Sequence, residues 1–302
     1  MVHGSIWGKP LNKKQVPGRS AAGLANITAL LPRRPAAARL GVTLGALVLG
    51  WAVVPVLLGA GSLAVFVALV VSLGLGFVLS LMLPIMHEAT HGVIARSGFT
   101  NRLVGWIAGA LLLVDFDTYR STHLRHHCIA GQSGDPEEPV VLRNVRDYFL
   151  HLTPWYFLLP FWHLSWKLLQ ERPTKKPRLG QLGLVLFAMV IILFTVLWPA
   201  ALTVGYWVPL FSSAGFMFIT TAHEHVPLNG DTVPLTRTVR TGPVLEFLLW
   251  NSNYHVAHHE YPSAPFENLP HLEYHAHSSQ TRCVKGFAQF QASLLREASG
   301  RC

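Results

Sequence analysis

Charge is scarce in this chain. Asp, Glu, Lys and Arg make up 13% of its 302 residues, against about 25% in soluble domains. The deficit is local. No charged residue occurs from Gly41 to Met86, and none from Leu179 to Ala222. Those gaps exclude an ordinary soluble protein. Each is about 45 residues, enough for two spans of roughly 20 residues and a tight turn. Acids are absent from residues 1–40, and no apolar run begins before Leu40, too late and too long for a secretory signal. Cysteine is nearly absent too: Cys128, Cys283 and Cys302 show no paired spacing, which excludes a disulfide framework and suggests reduced thiols. Cys128, next to His127, reads as a packed small residue rather than a soft ligand.

What charge there is falls outside the gaps. Of 24 Lys and Arg, 7 lie in residues 1–40, 11 in 95–178 and 6 in 223–302. The far turns, near Gly59-Ala60-Gly61 and Pro199-Ala200, carry none. The positive-inside rule then puts both termini and the middle segment in the cytoplasm. A net charge of +9 therefore reflects topology and anionic headgroups, and requires no nucleic acid.

The expected architecture is an all-α integral membrane protein, four transmembrane helices in two hairpins under a cytoplasmic helical cap. Residues 1–40 form a basic cytoplasmic tail, 41–86 the first hairpin, 87–178 a cytoplasmic or interfacial segment, 179–222 the second hairpin and 223–302 a second cytoplasmic segment. Leu103–Val114 is apolar but too short to cross, so it should lie at the interface or re-enter. Tyr148–Leu169 is aromatic-rich and broken by Pro154 and Pro160, which suggests an interfacial helix pair. A bacterial inner membrane suits the whole.

Histidine is what the chain has. Of its 16 histidines, ten fall in clusters: His87 and His91; His123, His126 and His127; His223 and His225; His255, His258 and His259. Residues at i, i+3 and i+4 share a helix face, and neutral imidazole ligates iron, copper, zinc or nickel. Both hairpins return to the same side, so the clusters can converge there. They are too many for one zinc, which takes three or four protein ligands, and suit two metal ions. His223 and His225 point apart on a helix, so one of them is the extra ligand.

His87-Glu88-Ala89-Thr90-His91 also fits H-E-x-x-H, the zinc-protease pattern with Glu as general base. An intramembrane metalloprotease would leave the other clusters without a role. Glu88 then reads as a hydrogen-bond partner of a ligand, with Asp115, Asp117 and Glu260 as similar candidates. Asn251 and Asn253 are candidates to orient an imidazole or bind a metal-bound water.

The three boxes His87-x-x-x-His91, His123-x-x-His126-His127 and His255-x-x-His258-His259 resemble those of the membrane fatty acid desaturase family of non-haem di-iron enzymes. So do Thr118–Thr122 before the second box and Trp250–Tyr254 before the third. The resemblance covers about residues 80–275. It implies two iron ions, held by His87, His91, His123, His126, His127, His225, His255, His258 and His259. It implies O2 as co-substrate, a lipid or fatty-acyl substrate, and a separate electron donor such as ferredoxin or a cytochrome with its reductase. Desaturation of an acyl chain is the first expectation. Hydroxylases, carotenoid ketolases and alkene-forming decarboxylases share the pattern.

Overall fold

The computed structural model describes residues 36–137, 141–154, 179–228, 236–273 and 282–300. Among the described residues, four helices are long and apolar enough to cross a membrane: Ala37–Leu58, Ser62–His91, Leu179–Leu197 and Pro199–His225. The first is α1. The second comprises α2 (Ser62–Ser80) and α3 (Met82–His91), joined at Leu81. Two helices follow, α4 (Gly98–Leu111) and α5 (Phe116–Ile129), then the short α6 (Val145–His151). The third span is α7 (Leu179–Leu197). The fourth runs through α8 (Pro199–Leu202), a π-helical turn (Thr203–Trp207) and α9 (Val208–His225). The interfacial pair expected over Tyr148–Leu169 lies mostly outside the described residues, as does the basic tail before residue 36.

Helix α1 begins before the charge-free block, with Arg39 in its first turn. The Arg39 guanidinium sits over the rings of Phe247 and Trp250, 5.2 and 5.8 Å from their centroids. A long cationic side chain can thus belong to a membrane helix while its charge packs against the cap. At the far ends, Gly61 (φ +99°) opens α2 and Pro199 opens α8. These turns match the two uncharged ones expected.

Spans two and four form the heart of the bundle and run in the same direction. Ser72 Oγ on α2 donates to Val204 O in the π-helical turn, and Phe77 meets Phe216 edge to face, 5.6 Å between ring centroids. The closest crossing is at Gly76, where a Cβ would lie 2.0 Å from Ser212 Oγ and 3.1 Å from Pro209 O. Gly76→Leu is expected to cost about 1–3 kcal/mol through overpacking. Thermal unfolding in detergent checks this, with Gly74→Leu as control, since nothing lies within 4 Å of a Cβ there.

The Ser62–His91 helix has 30 residues, about 45 Å at 1.5 Å per residue. A bilayer core is about 30 Å thick. The helix exceeds that thickness by enough for its last turns, with His87 and His91, to reach beyond the hydrocarbon. The fourth span does the same for His223 and His225. Between them, α4 and α5 make a bend of 107°. At 14 residues α4 is too short to cross, as expected of a re-entrant or interfacial element. The bend is tight because Gly105 and Gly109 admit the Phe116 ring and Val114 O at 2.4 and 2.6 Å from where a Cβ would be.

The rest forms the cap. Strands β1 (Arg237–Arg240) and β2 (Arg282–Lys285) pair in parallel, a small addition to an otherwise helical chain. Helix α10 (Pro243–Leu248) and the third-box helix α11 (His255–Glu260) follow β1. A 3-10 turn (Phe266–Asn268), α12 (Leu269–Leu272) and the terminal α13 (Phe287–Ala298) complete it. Phe290 and Leu294 of α13 are buried with Phe218, Ala222 and Val226 at the end of span four. Gln291 Nε2 donates to Ile219 O at 2.8 Å, and the buried Arg237 Nη1 donates to Val226 O at 2.6 Å. A guanidinium on the last carbonyls of a helix satisfies orphan acceptors and opposes the negative end of its dipole. This pins the helix end that carries His225.

Candidate metal centre

Nine histidines from α3, α5, α9 and α11 converge into two groups. Ligand atoms of His87, His91, His123, His127 and His258 lie within 4.8 Å of one another, as do those of His126, His225 and His259. His255 joins the second group, its Nε2 lying 3.1 Å from Nε2 of both His225 and His259. The second and third boxes are each divided between the two groups. His123 and His127 enter one group while His126 enters the other; His255 and His259 enter one while His258 enters the other. Helical phase explains it: residues i and i+4 are about 40° apart around the axis, whereas i+3 and i+4 differ by about 100°. A box of this spacing straddles two positions.

The ring nitrogens face each other at spacings that suit a shared cation. His123 Nδ1 donates to Glu137 Oε1 at 2.8 Å, and His126 Nδ1 donates to Asp135 at 2.8 and 3.0 Å. A carboxylate only accepts, so the proton sits on Nδ1 and each Nε2 presents a lone pair. Yet His123 Nε2 lies 3.2 Å from His91 Nε2 and 3.0 Å from His127 Nε2, which lies 3.0 Å from His258 Nε2. In the second group, His126 and His259 Nε2 are 3.4 Å apart. Nitrogens at about 2.0–2.1 Å from a shared metal stand about 2.8–3.4 Å apart at octahedral to tetrahedral angles. The observed spacings fit the edges of such polyhedra, so the residues present fit a metal in each group.

The electrostatics agree. Burial, then repulsion from neighbouring rings, holds His255, His258 and His259 well below the ordinary imidazole value. The same causes push His127 down to about 2. These rings are neutral at pH 7, so a metal need not displace their protons. Burial also opposes the charged form of His126, but the Asp135 hydrogen bond and the nearby acids outweigh it and raise its pKa.

A family model described as "Fatty acid desaturase" matches residues 61–282. This chain belongs to the fatty acid desaturase family. No curated protein matches it in sequence. The match spans all three boxes and spans two to four, the parts that build the two groups.

Several side chains around the histidines do other work than expected. Glu88 forms no hydrogen bond to a histidine among the described residues; its Oε2 accepts the Phe266 N–H at 3.2 Å. Asp115 caps α5, accepting from Thr118 N, Thr118 Oγ1 and Gln181 Nε2. Asp117 accepts from Arg102 Nη2 at 3.0 Å and Trp106 Nε1 at 3.2 Å. Both acids therefore fasten the re-entrant pair and the start of α7. Asn251 and Asn253 donate to Phe266 O and Val239 O, so they brace the backbone around the third box. Glu260 closes α11, partly buried. Cys128 is exposed rather than packed, because it faces away from the histidine side of α5. His225 lies in the second group. His223 does not: it is fully buried beside Phe287, with 5.5 Å between ring centroids.

Two partners went unread in the sequence: Asp135 and Glu137, one for each group. The stretch Gly131–Pro136 carries turn residues, and an acid there looks like any solvated loop acid. In the fold it turns back under α5. Asp135 also accepts the backbone N–H groups of Gly131 and Glu137, both at 2.9 Å, which stiffens the loop that presents both carboxylates.

Proposed function

We propose that the nine histidines hold two iron ions and that the protein desaturates an acyl chain of a fatty acid or lipid. The net change converts a –CH2–CH2– pair, O2, two electrons and two protons into –CH=CH– and two waters. The observation that carries this is the pair of adjacent imidazole groups whose lone pairs face one another. When bound, iron supplies O2 reduction and hydrogen abstraction from an unactivated carbon, chemistry that protein side chains lack.

The chain's own residues hold and orient. Glu137 and Asp135 accept hydrogen bonds from the Nδ1–H groups of His123 and His126, which keeps the Nε2 lone pairs turned inward. The overhanging ends of spans two and four lift both groups just clear of the hydrocarbon. An acyl chain entering from the bilayer would thus meet them after a short path, a positioning effect. The Lys and Arg distribution supports a cytoplasmic site, open to a separate ferredoxin or cytochrome as electron donor.

The test is mass spectrometry of lipids from cells expressing the protein, set beside metal analysis of the purified protein. The expected result is O2-dependent appearance of acyl chains two mass units lighter, with about two irons per chain. Products sixteen units heavier would instead assign the site to hydroxylation. A protein with one zinc and O2-independent activity would overturn the reading.

A further inference from the structure

In the first group only part of the set is held by polar partners. His123 is fixed by Glu137. His87 has both ring nitrogens, and His258 its Nδ1, buried without a hydrogen-bond partner among the described residues. Metal-bound imidazoles usually donate their second N–H to a carboxylate, carbonyl or water that sets the ring orientation. Something else must set it here. The Phe266 ring touches both unbraced histidines: it stacks on His87 with 4.9 Å between centroids and a 24° tilt, and meets His258 edge-on at 5.4 Å and 78°. Phe266 is 1% exposed, so its own rotamer is locked by packing.

The backbone that carries this ring is clamped on both sides. Its N–H donates to Glu88, on the helix turn of the first box. Its carbonyl accepts from Asn251 Nδ2 at 2.9 Å. Asn251 and the preceding Trp250 both adopt left-handed backbone, φ +56° and +58°. That region is uncommon for a non-glycine residue, although Asn tolerates it better than most. A buried Trp beside it shows that the surrounding structure imposes the turn, and the turn aims Asn251 at Phe266. One residue outside all three boxes thus links the first-box helix, the entry to the third box and two rings of one group.

We propose that Phe266 is a positioning residue for the metal in the His87, His91, His123, His127 and His258 group, with its ring orienting His87 and His258 in place of a hydrogen-bonding carboxylate. The inference rests on the two-metal reading above, but concerns one position only. Stacking geometry, not merely apolar volume, is what the ring provides. Leucine fills much of the space yet cannot stack; tyrosine can.

Full-length protein in detergent, loaded anaerobically with Co2+, gives a readout independent of turnover. Chelator-driven release should show two phases, and the cobalt absorption bands report coordination. Phe266→Leu is expected to accelerate one phase about tenfold, the lower end for loss of an outer partner, and to shift the cobalt bands. The other phase should be unchanged, and Phe266→Tyr should restore both features. Glu88→Gln keeps an amide oxygen for the Phe266 N–H and should behave as wild type, whereas Glu88→Leu should mimic Phe266→Leu. The Glu88 pair tests the clamp even if Phe266→Leu fails to fold. Wild-type release from Phe266→Leu, equal acceleration of both phases, or identical effects of Glu88→Gln and Glu88→Leu would overturn the proposal. Failure of the wild type to bind two cobalt ions would instead overturn the two-metal reading itself.

Discussion

His258→Ala is expected to lose one of two bound metal ions and to lower desaturation by more than about 100-fold. Residues that hydrogen-bond to metal ligands typically cost 10–100-fold in affinity or activity when removed, and a direct ligand should exceed that range. The ring is fully buried, with its Nε2 3.0 Å from that of His127. Four other histidines remain in its group, so the position is weakened without being dismantled. The second group keeps its full set, which is why the loss should be partial in metal yet nearly complete in turnover, since the proposed reaction uses both ions. Iron per chain and product per minute check this together. Retention of both ions with full activity would remove His258 from the site. Unfolding by far-UV circular dichroism would show that the variant tests stability instead.

Asp135→Asn should carry the next largest effect, a 10–100-fold loss of metal affinity concentrated at the second position. Asp135 touches His126 through both oxygens and holds two backbone N–H groups of its own loop. Burial resists its ionisation, yet the hydrogen bond and charge of His126 hold its pKa below the usual carboxylate range. Asparagine keeps one acceptor but turns an N–H2 toward groups that themselves donate. The His126 ring then loses the partner that keeps its proton on Nδ1, and its Nε2 lone pair is no longer assured. Competition with a chelator, resolved into two classes of ion, measures the effect. Equal weakening of both classes would mean that the loop acts as a general support rather than through His126.

Much of this was legible before any coordinates. The spans were, because two uncharged stretches of about 45 residues have no other reading in water or membrane. The histidines were, because their spacing repeats. Their division was not drawn from the spacing, although the 100° phase difference between i+3 and i+4 contains it. Asp135 and Glu137 were hidden in a turn-rich stretch where acids carry no signal. Phe266 was further out of reach, since its contact with Glu88 joins residues 178 apart. Strands β1 and β2 span four residues each, too few for alternation to register.

The exchange of the middle histidines between the groups has one further consequence, which concerns time rather than space. His126 meets His259 across 133 residues, and His127 meets His258 across 131. A chain halted before residue 255 holds all four spans but neither set of ligands in full. Ribosomes deliver the N-terminal part first, so every span is synthesised before the last three histidines exist. Metal capture then belongs to the finished chain, and neither position can fill ahead of the other by order of synthesis.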